Sequence, residues 1–390
     1  MVNKFGLIHI PKILFGAGQI DMLPGILKGQ GRNVLFITGS KSHLHNKSVV
    51  KVMFAMEKEG FVLHFDKIEK EPSPDDVNRI EKRFRTIEVN AVVAVGGGSV
   101  MDAGKAVSAM LPLEGSVLDY LEGLGKKSHP GIKKFFVAIP TTSGTGSETT
   151  ANAVLSETGT NGFKRSLRHE NLVPDLAIVD PALTLSCPQE ITAASGMDAF
   201  TQLTESYLSA KSGWLTDTLA LEGIRKVHTC LFNAVTRGED LEARSGMAYA
   251  AMLSGITLAN AGLGLIHGFA SSVGGLFNIP HGVICGTLMG VVNRCNIESL
   301  LHEKPQHAAV EKYVMLGKLL SGANNMGADW YMRYVADYID DLTEKLNIRR
   351  LGGFGITISD LKKISEVTDH KNNPVQFEKS ELVAMLKARL

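Results

Sequence analysis

AVVAVGGGSVMDAGKAVSAM, residues Ala91–Met110, decides the fold. Five apolar, largely β-branched or small residues (Ala91–Val95) suit a strand buried on both faces. They run straight into Gly96-Gly97-Gly98-Ser99, and Val100–Met110 then carries helical spacing. A strand, a glycine turn and a helix in that order form half of a βαβ unit. The same alternation extends outward on both sides. Asn33–Thr38 reads as a buried strand followed by the turn Gly39-Ser40-Lys41, and Phe61–Phe65 as a second strand. Asp75–Arg85 reads as a helix opened by Pro74-Asp75, with acids in its first turn. Further on, Phe135–Ile139 leads into PTTSGTGSE (Pro140–Glu148), and Leu176–Val179 precedes Asp180-Pro181. Strands separated by helices predict parallel pairing with right-handed crossovers.

From about Leu185 the texture changes. Gly196–Ala210, Leu219–Ala234, Ala243–Ala261, Ala308–Leu320 and Trp330–Leu346 carry helical spacing, and extended β-runs are scarce. A chain of 390 residues is long enough for two domains. The expected organisation is therefore an α/β N-terminal domain with a parallel sheet over residues 1–184, then an all-helical C-terminal domain over residues 185–390. The 44% apolar and 21% charged composition is that of a globular chain with an ample core. A formal net charge of +1, with no long run of one sign, argues against nucleic-acid or membrane-surface partners. No apolar stretch approaches the roughly 18 residues of a membrane span, and MVNKFGLIHIPKILFG lacks the apolar core of a signal peptide. Cys187, Cys230, Cys285 and Cys295 show no CxxC spacing and read as buried thiols in a reducing compartment. The expectation is a soluble, cytoplasmic protein.

Two loops carry the first chemistry. Gly97, Gly98 and Ser99 let backbone approach a diphosphate, with the N–H groups of a helix start turned to the anion. The same triplet also serves as a plain tight turn. Pro140–Glu148 holds five hydroxyls and two glycines, many short donors with little bulk around Thr141 and Thr142. Alternatively those hydroxyls bond their own backbone. Two such loops at the carboxyl ends of strands in one sheet mark where an open α/β fold binds a ligand.

Beyond this point the chain resembles a known family. GGGSVMDAGKAV, PTTSGTGSE, PDLAIVDPALT, GMDAF and HGFASSVGGLFNIPHG occur in the order seen in iron-containing (group III) alcohol dehydrogenases, flanked by PKILFGAG and the late Asn372-Asn373-Pro374. The resemblance covers essentially the whole chain. It implies a dinucleotide-binding first domain, a helical metal- and substrate-binding second domain and a dehydroquinate synthase-like architecture. It also implies a homodimer acting on a small alcohol or aldehyde, with hydride passing to or from a nicotinamide. Asp198, His267 and His281 match the family's ligands for a divalent metal, Fe²⁺ or Zn²⁺. Asp198 and position 202 share a helix face, and Pro280 breaks any helix joining the two histidines.

The sequence departs from the family at two positions. Gln202 stands where a ligand histidine is usual, a harder and weaker donor through its amide oxygen. Ser271 stands where many members carry a histidine near the nicotinamide. Lys164 matches a family lysine near nicotinamide and substrate, in an expected loop, and joins Asp198, His267 and His281 as a catalytic candidate. Asp102 and Thr142 align with cofactor-contacting positions. Gly39-Ser40-Lys41 offers a hydroxyl and a cation where NAD-using members tend to carry an aspartate, so NADP is expected, with NAD the alternative. The alternatives in function are a metal-independent, maleylacetate reductase-like enzyme and a non-catalytic nucleotide-binding homologue. A lyase of the 3-dehydroquinate synthase type is disfavoured because residues 267–281 contain no Lys or Arg to grip a phosphorylated acid.

Overall fold

In a computed structural model, which describes residues 6–39, 46–159 and 162–390, the apolar runs of the first half become a sheet covered on both faces. Its strands are β1 (Lys12–Phe15), β2 (Asn33–Gly39), β3 (Val62–Ile68), β4 (Ala91–Gly96), β5 (Phe135–Pro140) and β8 (Leu176–Val179), in the order β1-β8-β5-β4-β2-β3. Every pairing is parallel. Alternate residues of the central strands serve opposite faces. Leu35, Val92 and Phe136 pack with helices α3 (Pro74–Phe84) and α4 (Gly98–Met110). Phe36, Val93 and Val137 pack with α1 (Leu23–Leu27) and α2 (Lys47–Lys58). Two-sided cover is why these strands read as continuous apolar runs. The order reverses between β2 and β4, so a crevice opens beyond their carboxyl ends at Gly39 and Gly96.

The second half is helical: α5 (Gln189–Leu208), α6 (Trp214–Thr236), α7 (Leu241–Ala261), α8 (Leu265–Leu276), α9 (His281–His302), α10 (Ala308–Ser321), α11 (Ala328–Lys345), α12 (Ile358–Val367) and α13 (Lys379–Lys387). Helix α5 is buried on nearly every face from Thr192 to Leu208 and forms the axis of the bundle. Among the described residues no single helix is long and apolar enough to cross a membrane.

Several elements went unread in the sequence, and one residue moves. β6 (Asn152–Glu157) and β7 (Phe163–Arg168) form an antiparallel hairpin. Lys164, expected in a loop, lies on β7 opposite Ser156. The segment FKRSLR hides its strand character because its long polar side chains stay partly exposed and the hairpin lies outside the main sheet. Helix α4 begins at Gly98, two residues before Val100, because the glycines themselves form its first turn.

The two halves are joined by the loop after β5. Gly146 adopts φ +62°, and a Cβ there would stand 2.5 Å from Cα of Gly255 on α7, so two glycines allow backbone against backbone. On the sheet side the loop is held by Lys105, which is fully buried. Its ammonium donates to Ser147 O (2.9 Å), Thr150 Oγ1 (3.1 Å) and Asn152 O (2.7 Å), while Ser147 Oγ donates to Asp102 Oδ1 at 2.6 Å. Burial pushes the Lys105 pKa down to about 8, and Asp102 opposes that. Replacing Lys105 with Met would leave Ser147 O and Asn152 O without this donor and remove the cation that offsets the buried Asp102 carboxylate. We expect Lys105→Met to lower unfolding stability by about 2–4 kcal/mol, read from the urea midpoint; a change within about 0.5 kcal/mol, the usual size for an inert surface site, would contradict this anchoring role.

Candidate active site

A cleft of about 1730 Å³ runs from the carboxyl ends of the strands to the helical bundle. Gly39, Gly97, Gly98, Ser99, Thr141 and Thr142 line its sheet end. Asp102, Lys164, Asp198, Gln202, His267, Ser271 and His281 line the remainder. Ser40 and Lys41 lie outside the described residues. One cavity thus collects all the described candidates.

At the sheet end, Gly97 precedes α4 and no side chain caps that helix. Gly97 O accepts from the N–H groups of Val100 (2.9 Å) and Met101 (3.0 Å). The helix start is suited to an anion through its N–H groups and dipole. A Cβ at Gly98 would stand 2.5 Å from Thr145 Cγ2, so the two loops interlock only without a side chain there. Thr141 N donates to Gly96 O at 2.8 Å. Some hydroxyls of the second loop do turn to their own backbone: Thr145 Oγ1 accepts from Ser147 N, and Thr149 Oγ1 donates to Gly146 O. Ser143 Oγ is buried without a partner.

At the other end, α5 carries Asp198, Gln202 and Glu205 at i, i+4 and i+7, on one face. Pro280 is the N-cap of α9, so His281 opens a new helix and the chain folds back to bring it beside His267 of α8. Helix α9 comes close to α5 because Gly282 has no Cβ; one there would lie 2.2 Å from Ala194 O. His267 Nε2 lies 3.4 Å, and His281 Nε2 3.6 Å, from the same atom, Asp198 Oδ1. Glu205 Oε2 accepts from His267 Nδ1 at 2.7 Å and from Gly264 N at 2.9 Å, and Oε1 accepts from Ile266 N at 2.6 Å. That set holds the imidazole by its Nδ1–H and turns its Nε2 towards Asp198.

The cluster favours positive charge. Asp198 is 2% exposed, and its Oδ1 has no hydrogen-bond partner; His281 Nδ1 is likewise buried and unpartnered. Burial would raise the Asp198 pKa, but the His281 and His267 imidazoles hold it below its ordinary value, and a cation among the three side chains would give Oδ1 the partner it lacks. Burial pulls the His267 pKa down, but Cys285, Asp198 and Glu205 outweigh it and raise it well above its ordinary value. Burial pushes His281 down to about 4, helped by Lys164 and His267, so this imidazole is neutral near pH 7 and its nitrogens are free to ligate. Cys285, one turn after His281, completes the group: Sγ is 3.8 Å from His267 Nε2 and 3.7 Å from His281 Nε2. The four donor atoms lie within 4.8 Å of one another. Bond lengths of about 2.0–2.3 Å at a tetrahedral angle require donor separations of roughly 3.3–3.6 Å, so the residues fit a divalent metal.

The neighbours are placed as follows. Gln202 is buried, and its Oε1 accepts from Ser254 Oγ at 2.6 Å. Ser271 Oγ donates to His267 O at 2.8 Å. Lys164 Nζ pairs with Glu71 Oε1 at 2.6 Å, and Glu71 also accepts from Ser156 Oγ at 3.2 Å. Burial would raise the Glu71 pKa, but Lys164 holds it below its ordinary value. Glu205, Glu71 and Cys285 were not singled out in the sequence. The first was accessible as the i+7 partner of Asp198 and the last as the i+4 partner of His281. Glu71 had no local signal.

The signature described as iron-containing alcohol dehydrogenase matches residues 11–181, and that of the Fe-containing alcohol dehydrogenase family C-terminal region matches residues 192–390. The chain belongs to the iron-containing alcohol dehydrogenase family. Within it, alcohol dehydrogenase 4 of Saccharomyces cerevisiae (strain YJM789) is 30% identical over 386 residues, covering 97% of each chain. The NAD-dependent methanol dehydrogenase of Bacillus methanolicus is 32% identical over 319 residues, covering 82% of this chain and 81% of that one. Among solved structures of the family, a 1,3-propanediol oxidoreductase superposes with a TM-score of 0.87 at 28% identity, each chain covered in full (100%).

Carboxylates that orient a ligating histidine are worth about 10–100-fold in metal affinity. Glu205→Gln is therefore expected to weaken retention of metal by about that factor, measured as metal per chain after dialysis against graded chelator. Retention equal to wild type would reduce Glu205 to a cap of α8.

Proposed function

We propose that the protein interconverts a small alcohol and its aldehyde or ketone, using NADP(H) and a divalent metal, iron or zinc, held by Asp198, His267 and His281. The observation that carries this reading is the unpartnered, buried Asp198 Oδ1 between two imidazole Nε2 atoms, in the same cleft as the Gly97–Ser99 helix start. A divalent metal there supplies Lewis acidity towards a substrate oxygen. The nicotinamide supplies or receives the hydride, and the protein contributes position, charge and exclusion of water.

The chain's own groups have separable tasks. Gly97, Gly98 and Ser99 receive the diphosphate at the start of α4, with Thr141 and Thr142 along the neighbouring wall. Asp102, bonded to Ser147, holds the second loop in register with the first. Glu205 locks His267. Lys164, tied to Glu71, brings a cation to the side of the cleft facing Gly274 of α8, where it favours negative charge on a bound oxygen. Ser271 has its hydroxyl proton committed to His267 O, so proton exchange with solvent runs through water or the cofactor ribose. We further divide the chain into domains 1–184 and 185–390 and assign it to the cytoplasm as a homodimer. The four free cysteines suit a reducing compartment, and the homodimer rests on the family resemblance.

NADP is preferred because Gly39-Ser40-Lys41 lacks a carboxylate and presents a cation. One observation favours NAD: Ile68 is the register partner of Gly39, and the next residue, Glu69, lines the same cleft with a carboxylate that would repel a 2′-phosphate. Lys67 pairs with Glu69 at 2.6 Å and offsets part of that charge. We expect kcat/KM to favour NADPH over NADH, and Lys41→Ala to cut the NADPH value by about tenfold or more with NADH unaffected. A wild-type preference for NADH would reverse this assignment. Metal-stripped protein is expected to lose turnover of small aldehydes and regain it with Fe²⁺ or Zn²⁺. Turnover independent of metal would instead favour a maleylacetate reductase-like enzyme.

A further inference from the structure

Gln202 stands where the family resemblance calls for an imidazole, and its carboxamide oxygen is taken by Ser254 at 2.6 Å. Yet the cluster still contains four candidate donors, because Cys285 has entered it from a different helix. Helix α5 supplies Asp198 and not its i+4 neighbour; helix α9 supplies both His281 and its i+4 neighbour.

We propose that Cys285 Sγ is the fourth protein ligand of the metal, replacing the imidazole lost at position 202, and that it sets the site for zinc over iron. This rests on the metal site proposed above. A buried cysteine is usually a small apolar filler, and a filler faces alkyl groups. Cys285 is fully buried, but its sulfur faces the Nε2 atoms of two histidines, at 3.8 and 3.7 Å. An S–N edge of a tetrahedral zinc site is roughly 3.6 Å. The Asp198 edges to the same two nitrogens are 3.4 and 3.6 Å, so four of the six edges lie near that length, and all four donor atoms lie within 4.8 Å of one another. The second observation comes from another helix: Asp198, 2% exposed, aims an oxygen without a hydrogen-bond partner into the same space.

Coordination would form an S–metal bond and release the thiol proton to solvent. Two anionic ligands then balance a dication, so the loaded cluster is neutral where an aspartate-and-three-histidine site carries +1. Thiolate with two imidazoles and a carboxylate is a donor set that suits zinc better than the harder ions. His281 is the least buried of the four and, with Asp198 and His267, lines the cleft in which a substrate would bind.

Cobalt reports sulfur ligation directly, through a thiolate-to-Co²⁺ charge-transfer band in the near ultraviolet. The wild-type protein loaded with one Co²⁺ per chain is expected to show that band. Cys285→Ser should keep its cobalt near stoichiometric concentration but lose the band, with Cys187, Cys230 and Cys295 still present. Zinc K-edge absorption of the wild-type protein should show one sulfur scatterer at about 2.3 Å, a reading that survives if the variant does not fold. Cobalt bound without the band, or a band that persists in Cys285→Ser, would overturn the assignment of Cys285 and leave the metal site standing. Failure to bind Co²⁺, Zn²⁺ and Fe²⁺ alike would overturn both.

Discussion

The contact of Gly146 with Gly255 is the constraint on which the geometry depends. It sets the loop after β5 directly on the backbone of α7, with no side chain between them to act as a soft spacer. The same loop interlocks with the Gly97–Ser99 turn through Thr145 and is tied to α4 by Lys105. One loop therefore fixes the distance between the start of α4 and a helical bundle built around α5. Ala177 and Val179 of β8 enlarge this junction, since they belong to the same apolar cluster as Phe200 and Met247 of the bundle. Hydride transfer requires near-contact between two ligands held by different parts of the chain, and small errors in that distance are costly. A backbone–backbone junction has little freedom to yield.

Inside the bundle the governing term is charge. Asp198 sits near the middle of a helix whose neighbours are almost all buried, where an ionised carboxylate needs compensation. Compensation comes in layers. Two imidazoles approach its Oδ1, one of them oriented by Glu205, and Glu205 is satisfied by the N–H groups at the start of α8. The negative charges are thus spread over one helix start and two rings. This also explains why Lys164 and Glu71 lie nearby as a pair: a lone cation would depress His281 further, and the carboxylate moderates it.

What the sequence made legible followed from periodicity and from motif order. The central strands announce themselves because two-sided burial leaves no polar positions, and α4 and α5 through α7 because long helical spacing is hard to mimic. Asp198, His267 and His281 are singled out in the sequence only through the resemblance, since nothing local marks these histidines apart from core ones; the structure brings the three together. The hairpin β6–β7 was missed because its polar, half-exposed residues carry little pattern, and Lys164 was consequently put in a loop. Glu205 was missed because one acid in a buried helix has no local mark; its meaning lies in backbone N–H groups 59 and 61 residues away in sequence. Glu71 is further still from its partner, at a separation of 93 residues.

The proposed role of Cys285 shows why a substitution at position 202 cannot be judged at that position alone. Read in isolation, Gln202 weakens a metal site. In three dimensions the relevant quantity is the set of lone pairs converging on one point, and the i+4 neighbour of His281 shares its helix face and brings its sulfur to 3.7–3.8 Å from both imidazoles. His281 opens α9, so its i+4 neighbour lies one turn deeper, on the face that Gly282 brings against α5. A side chain at 285 that ends two bonds from Cα, as cysteine does, stops at a distance suited to a long metal–sulfur bond. An imidazole there would extend farther into the space between His267 and Asp198. The close helix–helix approach and the short soft donor are therefore matched to one another, and neither is interpretable without the other.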